Sequence, residues 1–461
     1  MGILGMTLVQ AQNYQALHGS PYSGSLSNDF NPAAILNSPY SWDLTLFGVQ
    51  AKAVTNLLNI SNASLISEPD TLKVNYKSGN YTRYALLSAD LHLLNARIAL
   101  GRRQAIAFGI NVRNYARLSA GPYNYNDTVK TSDGFLSLNQ NNVPLQANMA
   151  QASWLELYGT YSRVFFEDDG ARFQGGVTLQ LLRSLSGAYV YGSNGAYVPS
   201  GTGYDLTNVE AQYGYSENYD AYNGGESAYT KFKQAVKFGS GGFSFNVGAE
   251  WVQKTGQDWG EEAKSGTDVY DWKLGVALLD IGFNQFRYGN QSAAFSGVQQ
   301  GQTNTSLNAF NKINGLEQFN DSVRDKVAQF GYLSGNFNVI TPARALINFD
   351  KRLPGYWAVN GELSLNFNGI RSTYASVEEL NLLTVTPRWE KSQLGAYLPL
   401  EVTDQGHFWV GAAIKAGPLL LGLHNLGWLF SKTSMPNGGG YLAIIIHPGE
   451  FEKDGVKCPT F

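Results

Sequence analysis

The chain has 461 residues, and only 15% of them are charged, well under the roughly 25% of an ordinary soluble domain. A net charge of −3 offers no basic field for a nucleic-acid partner, and one Cys with five His is too little for a disulfide framework or a structural zinc site. Aromatic residues and glycines are abundant instead, with 27 Tyr, 24 Phe, 9 Trp and 51 Gly, a mixture that suits strands, turns and a membrane interface.

Residues 1–11 read as the end of a secretory signal, with Val9 and Ala11 in the small-residue cleavage positions and Gln12 as the mature start. A basic n-region is missing and the apolar part is short. A start further upstream, or a buried N-terminal strand, are the alternatives. Residues 12–40 hold Pro21, Pro32 and Pro39 among many small residues, which suits an irregular segment folded into a lumen as a plug.

From residue 41 onward, segments of about ten residues alternate apolar and polar side chains, the period of a strand with two unlike faces. In 242–251, Phe243, Phe245, Val247, Ala249 and Trp251 share one face, and Ser244, Asn246, Gly248 and Glu250 the other. Strands are expected near 41–54, 84–100, 103–118, 150–166, 171–190, 242–254, 268–286, 339–351, 356–368, 379–391, 394–403, 407–416, 418–430 and 439–447. The connections alternate between tight turns and long spans, the longest being 55–83, 119–149, 191–241 and 287–338. Residues 205–216 are placed as a hairpin arm inside the third long loop. The moderate connection 255–267 breaks the pattern of short even turns.

No run of 18 apolar residues is present to supply a transmembrane helix. A membrane-spanning chain without such helices must close its strands into a barrel, because lipid cannot satisfy an open sheet edge. The expected fold is therefore an all-β, antiparallel transmembrane β-barrel of about fourteen strands, with sixteen as the alternative. It covers 41–447, with the plug at 12–40 and a periplasmic tail at 448–461. Short periplasmic turns and long extracellular loops point to a bacterial outer membrane. The expected partners are outer-membrane lipid and lipopolysaccharide, with other outer-membrane proteins as further candidates.

Alternation assigns an inward-facing set: Asp90, His92, Glu156, Glu250 and Glu362, with Arg113, Arg117, Lys273, Arg344 and Lys415. Both signs are present in similar number, which fits a polar channel or a salt-bridged plug rather than a charge-selective constriction. Eight tryptophans, Trp42, Trp154, Trp251, Trp272, Trp357, Trp389, Trp409 and Trp428, fall mostly near strand ends, as interfacial girdles do. The last strand is apolar on both faces, and Ile444 and Ile446 are expected to pack inward on the plug. Asp90 and His92 share a face, but a barrel hydrolase would also need a nucleophile within reach. Lumen-lining polarity is the simpler reading, and neither an enzyme, a metal nor a cofactor is expected.

The element Asn31-Pro32-Ala33-Ala34 resembles the N-terminal segment of the FadL-like fatty-acid transporter family, and that resemblance implies a plug inside the barrel. Segments at 18–26 (HGSPYSGSL), 212–216 (QYGYS), 271–282 (DWKLGVALLDIG), 387–390 (PRWE) and 394–400 (LGAYLPL) resemble a Bacteroidota outer-membrane barrel family of unknown function, akin to the gliding and type 9 secretion barrels. The tail at 453–459 resembles the opening of acidic repeats that precede a peptidoglycan-binding domain, but the carboxylates of a calcium repeat are absent. The resemblances imply either a transporter or pore for small or hydrophobic solutes, or a non-transporting barrel subunit of a secretion or protein-insertion complex.

Overall fold

The computed structural model describes residues 14–61, 73–126, 129, 131–201, 203–221, 227–254, 270–299, 307, 310, 313–367, 375–427 and 437–448. The leader reading of 1–11, the 255–267 connection, Trp428 and the tail resemblance at 453–459 lie outside them. Fourteen strands form the wall. They are β1 (Trp42–Thr55), β2 (Gly79–Ala99), β3 (Gln104–Tyr125), β4 (Leu145–Glu167) and β5 (Ala171–Ser200); β6 (Gly241–Lys254), β7 (Tyr270–Arg287), β8 (Asn336–Ile340 and Arg344–Arg352), β9 (Trp357–Asn366) and β10 (Leu382–Glu390); and β11 (Leu394–Tyr397 and Leu400–Thr403), β12 (Phe408–Val410 and Ala412–Ala416), β13 (Leu419–Leu423) and β14 (Asn437–Ile446).

Each strand pairs antiparallel with the next, and β14 pairs back onto β1 from Leu44↔Ile446 to Val54↔Asn437. The sheet is therefore closed and has no free edge along its wall, which is what a lipid environment demands. Breaks in the ladder have local causes. Pro342 and Pro399 carry no N–H to donate, and β8 and β11 are interrupted at those residues.

All fourteen expected strands are present, but their lengths differ. β2, β3, β4 and β5 run well past their expected long-loop ends. There they continue as a ribbon that pairs with 203–215, the hairpin arm in the third long loop. Strand 203–215 pairs in turn with 293–296, and that with 329–332. The helix Leu316–Arg324 packs on this outer sheet through Val323 and Phe319 against Tyr213 and Phe295. A satellite core thus stands beyond the barrel at its long-loop end.

The radial pattern inverts that of a soluble protein. On β4, the inward Glu156, Thr160 and Ser162 are buried, while the outward Leu157 and Phe165 are 53% and 67% exposed. Leu179, Leu181, Val247, Val276, Ile347, Leu383 and Ile414 continue the exposed apolar belt around the wall. Polar groups inside and hydrocarbon outside is the pattern of a barrel that spans a bilayer. Among the described residues, no helix is long and apolar enough to cross a membrane. An arginine at Leu179, mid-strand on the outer face, should cost about 2–4 kcal/mol. Urea titration of folding into lipid vesicles would read this as a lowered midpoint, and an unchanged midpoint would mean that this face does not meet lipid.

The tryptophans divide unevenly. Trp42, Trp251, Trp272, Trp357 and Trp389 lie on the outer side at the short-turn end, and so form a girdle at one rim. Trp154 and Trp409 instead point inward and are fully buried; Trp154 shares the face of Glu156 on β4, and Trp409 the face of Lys415 on β12. The last strand also has the opposite face inside. Tyr441, Ala443 and Ile445 pack on the plug, and Ile444 and Ile446 face outward.

Candidate functional site in the barrel lumen

Residues 14–37 form short 3-10 turns inside the wall. A single turn of this kind leaves most backbone groups unpaired, so the wall must satisfy them. Arg97 Nε on β2 donates to Ile35 O at 2.5 Å, Ser162 on β4 to Pro32 O at 2.7 Å, and Gln174 on β5 to Ala33 O at 3.1 Å. Lys273 on β7 donates to Gly19 O at 2.7 Å, and Arg344 on β8 to Asp29 O at 3.1 Å. The side chain of Asn28 accepts from Thr160 and Thr178 at 2.7 and 2.6 Å. His18 Nδ1 lies 2.7 Å from Glu362 on β9, which also accepts from Gln15 at 2.9 Å. A segment held from six strands distributed around a closed wall occupies its interior.

The Asn31-Pro32-Ala33-Ala34 element sits against β5, β6 and β7. Asn31 caps the turn by accepting from Ala33 N at 2.9 Å, and its amide donates to Ala249 O at 3.3 Å. The wall makes room with glycines. A Cβ on Gly176 would stand 2.7 Å from the Pro32 carbonyl carbon and 2.8 Å from Ala33 N, and one on Gly248 would stand 3.0 Å from Pro32 Cδ. The Gly176→Val barrel should therefore seat its N-terminal segment poorly. Limited proteolysis of the folded barrel should then cut within 14–37 where the native protein resists, and equal resistance would show that the groove tolerates the clash.

The inward-facing residues meet in two charge networks. Arg388 on β10 is fully buried and holds Asp350 at 2.5 Å and Glu390 at 2.8 Å. Lys273 stands 3.9 Å from Asp350 and 4.0 Å from Glu250, and Glu250 accepts from Asn37 of the plug at 3.0 Å. Lys415 is buried near the short-turn end, donating to Ser392 O at 3.0 Å and lying over the Tyr22 ring. Arg113 is the centre of the second network. It reaches Asp280 at 2.6 Å, Glu156 at 3.1 Å and Asp90 at 3.4 Å, and Arg344 reaches Asp280 at 3.1 Å. Arg117, two pleat repeats further along β3, pairs with Glu378.

A relay of amides sets His92. Glu156 can only accept, so Asn111 turns its NH2 to it at 3.1 Å. Asn111 O then accepts from Asn95, whose NH2 also lies 2.6 Å from His92 Nδ1. Nδ1 is thereby the acceptor and Nε2 carries the proton, aimed at Asp29 of the plug 3.4 Å away. Between plug and network lies a cavity of ≈ 20 Å³, room for about one water rather than a solute. His424, on the other side of the lumen, stands 3.7 Å from Glu401.

Asp280 was invisible to strand periodicity. On β7 Lys273, Ala277 and Leu279 face inward, so strict alternation turns Asp280 to lipid. The structure places a bulge there, with a left-handed φ of 55° at Asp280, a conformation Asp adopts more readily than most residues. Thr341, in the opposite break of β8, donates to Asp280 O at 2.7 Å. Beyond the paired irregularities both strands change parity, so Phe286, Phe337 and Val339 face inward. A lone carboxylate between Leu279 and Ile281 was the available clue, because lipid would not accept it.

That change of parity builds an apolar chamber above the Arg113 network. Tyr115 and Trp154 stack at 5.4 Å, and Phe286 and Phe337 stack at 5.4 Å beside Tyr189 and Val339.

A model of a family of unknown function (DUF5723) matches residues 32–423. The chain belongs to this family. The match runs from Pro32, in the last turn of the plug, through β13. No curated protein matches the sequence. Solved barrels resemble it at low identity. The toluene transporter TbuX of Ralstonia pickettii is 9% identical with a TM-score of 0.44, covering 92% of this chain and 94% of that one. A FadL homologue of Pseudomonas aeruginosa is 10% identical with a TM-score of 0.43, covering 95% and 98%.

Proposed function

We propose that this member of the family is an outer-membrane barrel that admits small apolar solutes and is closed in the conformation described here. The observation that carries the reading is the aromatic chamber. Apolar contacts between plug and wall, such as those of Leu17 and Leu26 with Leu420 and Ile445, belong to the plug's seat, whereas Tyr115, Trp154, Tyr189, Phe286 and Phe337 gather rings from β3, β4, β5, β7 and β8 on the long-loop side of the Arg113 network. An apolar solute gains by leaving water for such a compartment, at roughly 25 cal/mol per Å² of its surface. The exposed apolar belt and the one-rim tryptophan girdle support a location in outer-membrane lipid and lipopolysaccharide. His92, facing Asp29, and His18, facing Glu362, serve as positioning groups between wall and plug, and the reading assigns no catalysis, cofactor or metal.

Cells with an intact lipopolysaccharide barrier that express the protein should take up naphthalene faster than cells without it. No difference, with the folded barrel present in the outer membrane, would end the transport reading. A second reading is favoured by the sheet beyond the barrel, where 203–215, 293–296 and 329–332 with the helix Leu316–Arg324 form a built surface. A non-transporting barrel subunit would present that surface to a partner, and copurification of a stoichiometric partner from native membranes would favour it.

A further inference from the structure

The connection between β9 and β10 does not stay at the rim. Ala375, Ser376, Val377, Glu379 and Leu380 are buried, and Val377 has no exposure at all. Its backbone is held by β8, just above the break at Pro342. Ile340 N donates to Ala375 O at 3.0 Å, and Val377 N donates to Ile340 O at 3.1 Å. Ser376 and Ile340 form a parallel bridge. This turns Ala375 and Val377 into the chamber, among Tyr115, Trp154, Phe286 and Phe337. Two ion pairs hold the descending end: Glu379 meets Lys52 of β1 at 2.7 Å with both side chains buried, and Glu378 meets Arg117 of β3.

We infer that the aromatic chamber is a binding site for a flat apolar ring, occupied in this state by the chain's own segment 375–380, which the pairs Lys52–Glu379 and Arg117–Glu378 latch in place. Stacked and tilted rings favour a flat aromatic guest over an aliphatic one through offset and edge contacts. Ala375 and Val377 are small, so the segment fills the space without the ring contacts that a guest would make. The latch lies on β1 and β3 while the backbone dock lies on β8, so the segment crosses the lumen and narrows it above the chamber. A guest and the segment compete for one volume, and the apparent affinity is lowered by the fraction of barrels in which the segment is seated. The inference rests on the transport reading for the route by which a solute arrives, but not for the site itself.

Benzophenone, an apolar photolabel made of two flat rings, tests this on the full chain in detergent, with adducts mapped by mass spectrometry. The Lys52→Met, Glu379→Gln double variant should label the peptides bearing Trp154 and Phe337 about tenfold more than the native protein. Val377→Gly keeps both ion pairs and should raise labelling in the same direction should the double variant fail to fold. A disulfide between Ile340→Cys and Ser376→Cys, in a Cys458→Ser background, should suppress labelling until it is reduced. Heat-modifiable migration on a gel verifies a folded barrel in each case. Equal labelling of the locked and released barrels, or labelling confined to the lipid-facing belt, would overturn the inference. Chamber labelling without naphthalene uptake would overturn the transport reading alone, and uptake without chamber labelling would overturn this inference alone.

Discussion

Deleting residues 14–37 is expected to convert a silent barrel into an ion-conducting one. The native lumen is interrupted by the plug, and the cavity that remains at its upper face is ≈ 20 Å³. Removing the plug uncovers wall groups that now serve it: Arg97, Thr160, Gln174, Lys273 and Glu362 would all turn to water. These groups are polar and their signs are mixed, so the opened pore should pass ions with little selectivity. The wall itself should survive, because its ladder closes from β14 to β1 without the plug. Planar-bilayer recording should show discrete conductance steps for the deletion and none for the native protein. The segment 375–380 still crosses the upper lumen, so the steps should grow when Val377→Gly is added. A deletion that folds and stays electrically silent would mean that the upper segment alone seals the lumen.

The second large effect is expected at Arg113. One guanidinium serves Asp90, Glu156 and Asp280 from β2, β4 and β7. Arg113→Met removes the charge, keeps much of the apolar stem, and leaves three buried carboxylates, of which Asp280 retains its pair with Arg344. Breaking a buried pair in this one-sided way costs about 3–5 kcal/mol. The midpoint of the heat-modifiable gel shift should fall markedly. Arg103→Met supplies the contrast. Its partner Glu167 is 3.6 Å away and the arginine side chain is 64% exposed, so its loss should cost under about 1 kcal/mol. Equal midpoints for the two variants would show that the lumen network is hydrated and adds little.

The architecture was largely legible in the chain, and the reason is local. A strand repeats every two residues, so an inward polar and outward apolar row declares itself within ten residues, as at Phe243 to Trp251. Loop lengths then order the strands, because short turns can join only neighbours. The number of strands, the hairpin arm at 203–215 and the inverted polarity follow from these two rules. The same parity turns all the charged lumen residues from Asp90 to Lys415 inward, where the structure has them buried or half-buried.

What only the tertiary structure decided begins where alternation fails. A one-residue bulge exchanges the two faces of a strand, and its cost is repaid by distant partners that no window of sequence contains. Asp280 takes its left-handed turn because Arg113 and Arg344 wait for its carboxylate, and Phe286 and Phe337 reach the lumen only because that turn exists. Ile444 and Ile446 were placed on the wrong side for a related reason: a strand apolar on both faces carries no mark of its own register, which pairing with β1 supplies. The descent of Val377 into the chamber depends on the backbone of Ile340, which bonds it, and on Lys52, both far away in the chain. Sequence fixes the periodic wall because the wall is made of local repeats, whereas the closed lumen is made of contacts between residues hundreds of positions apart, which only folding brings together.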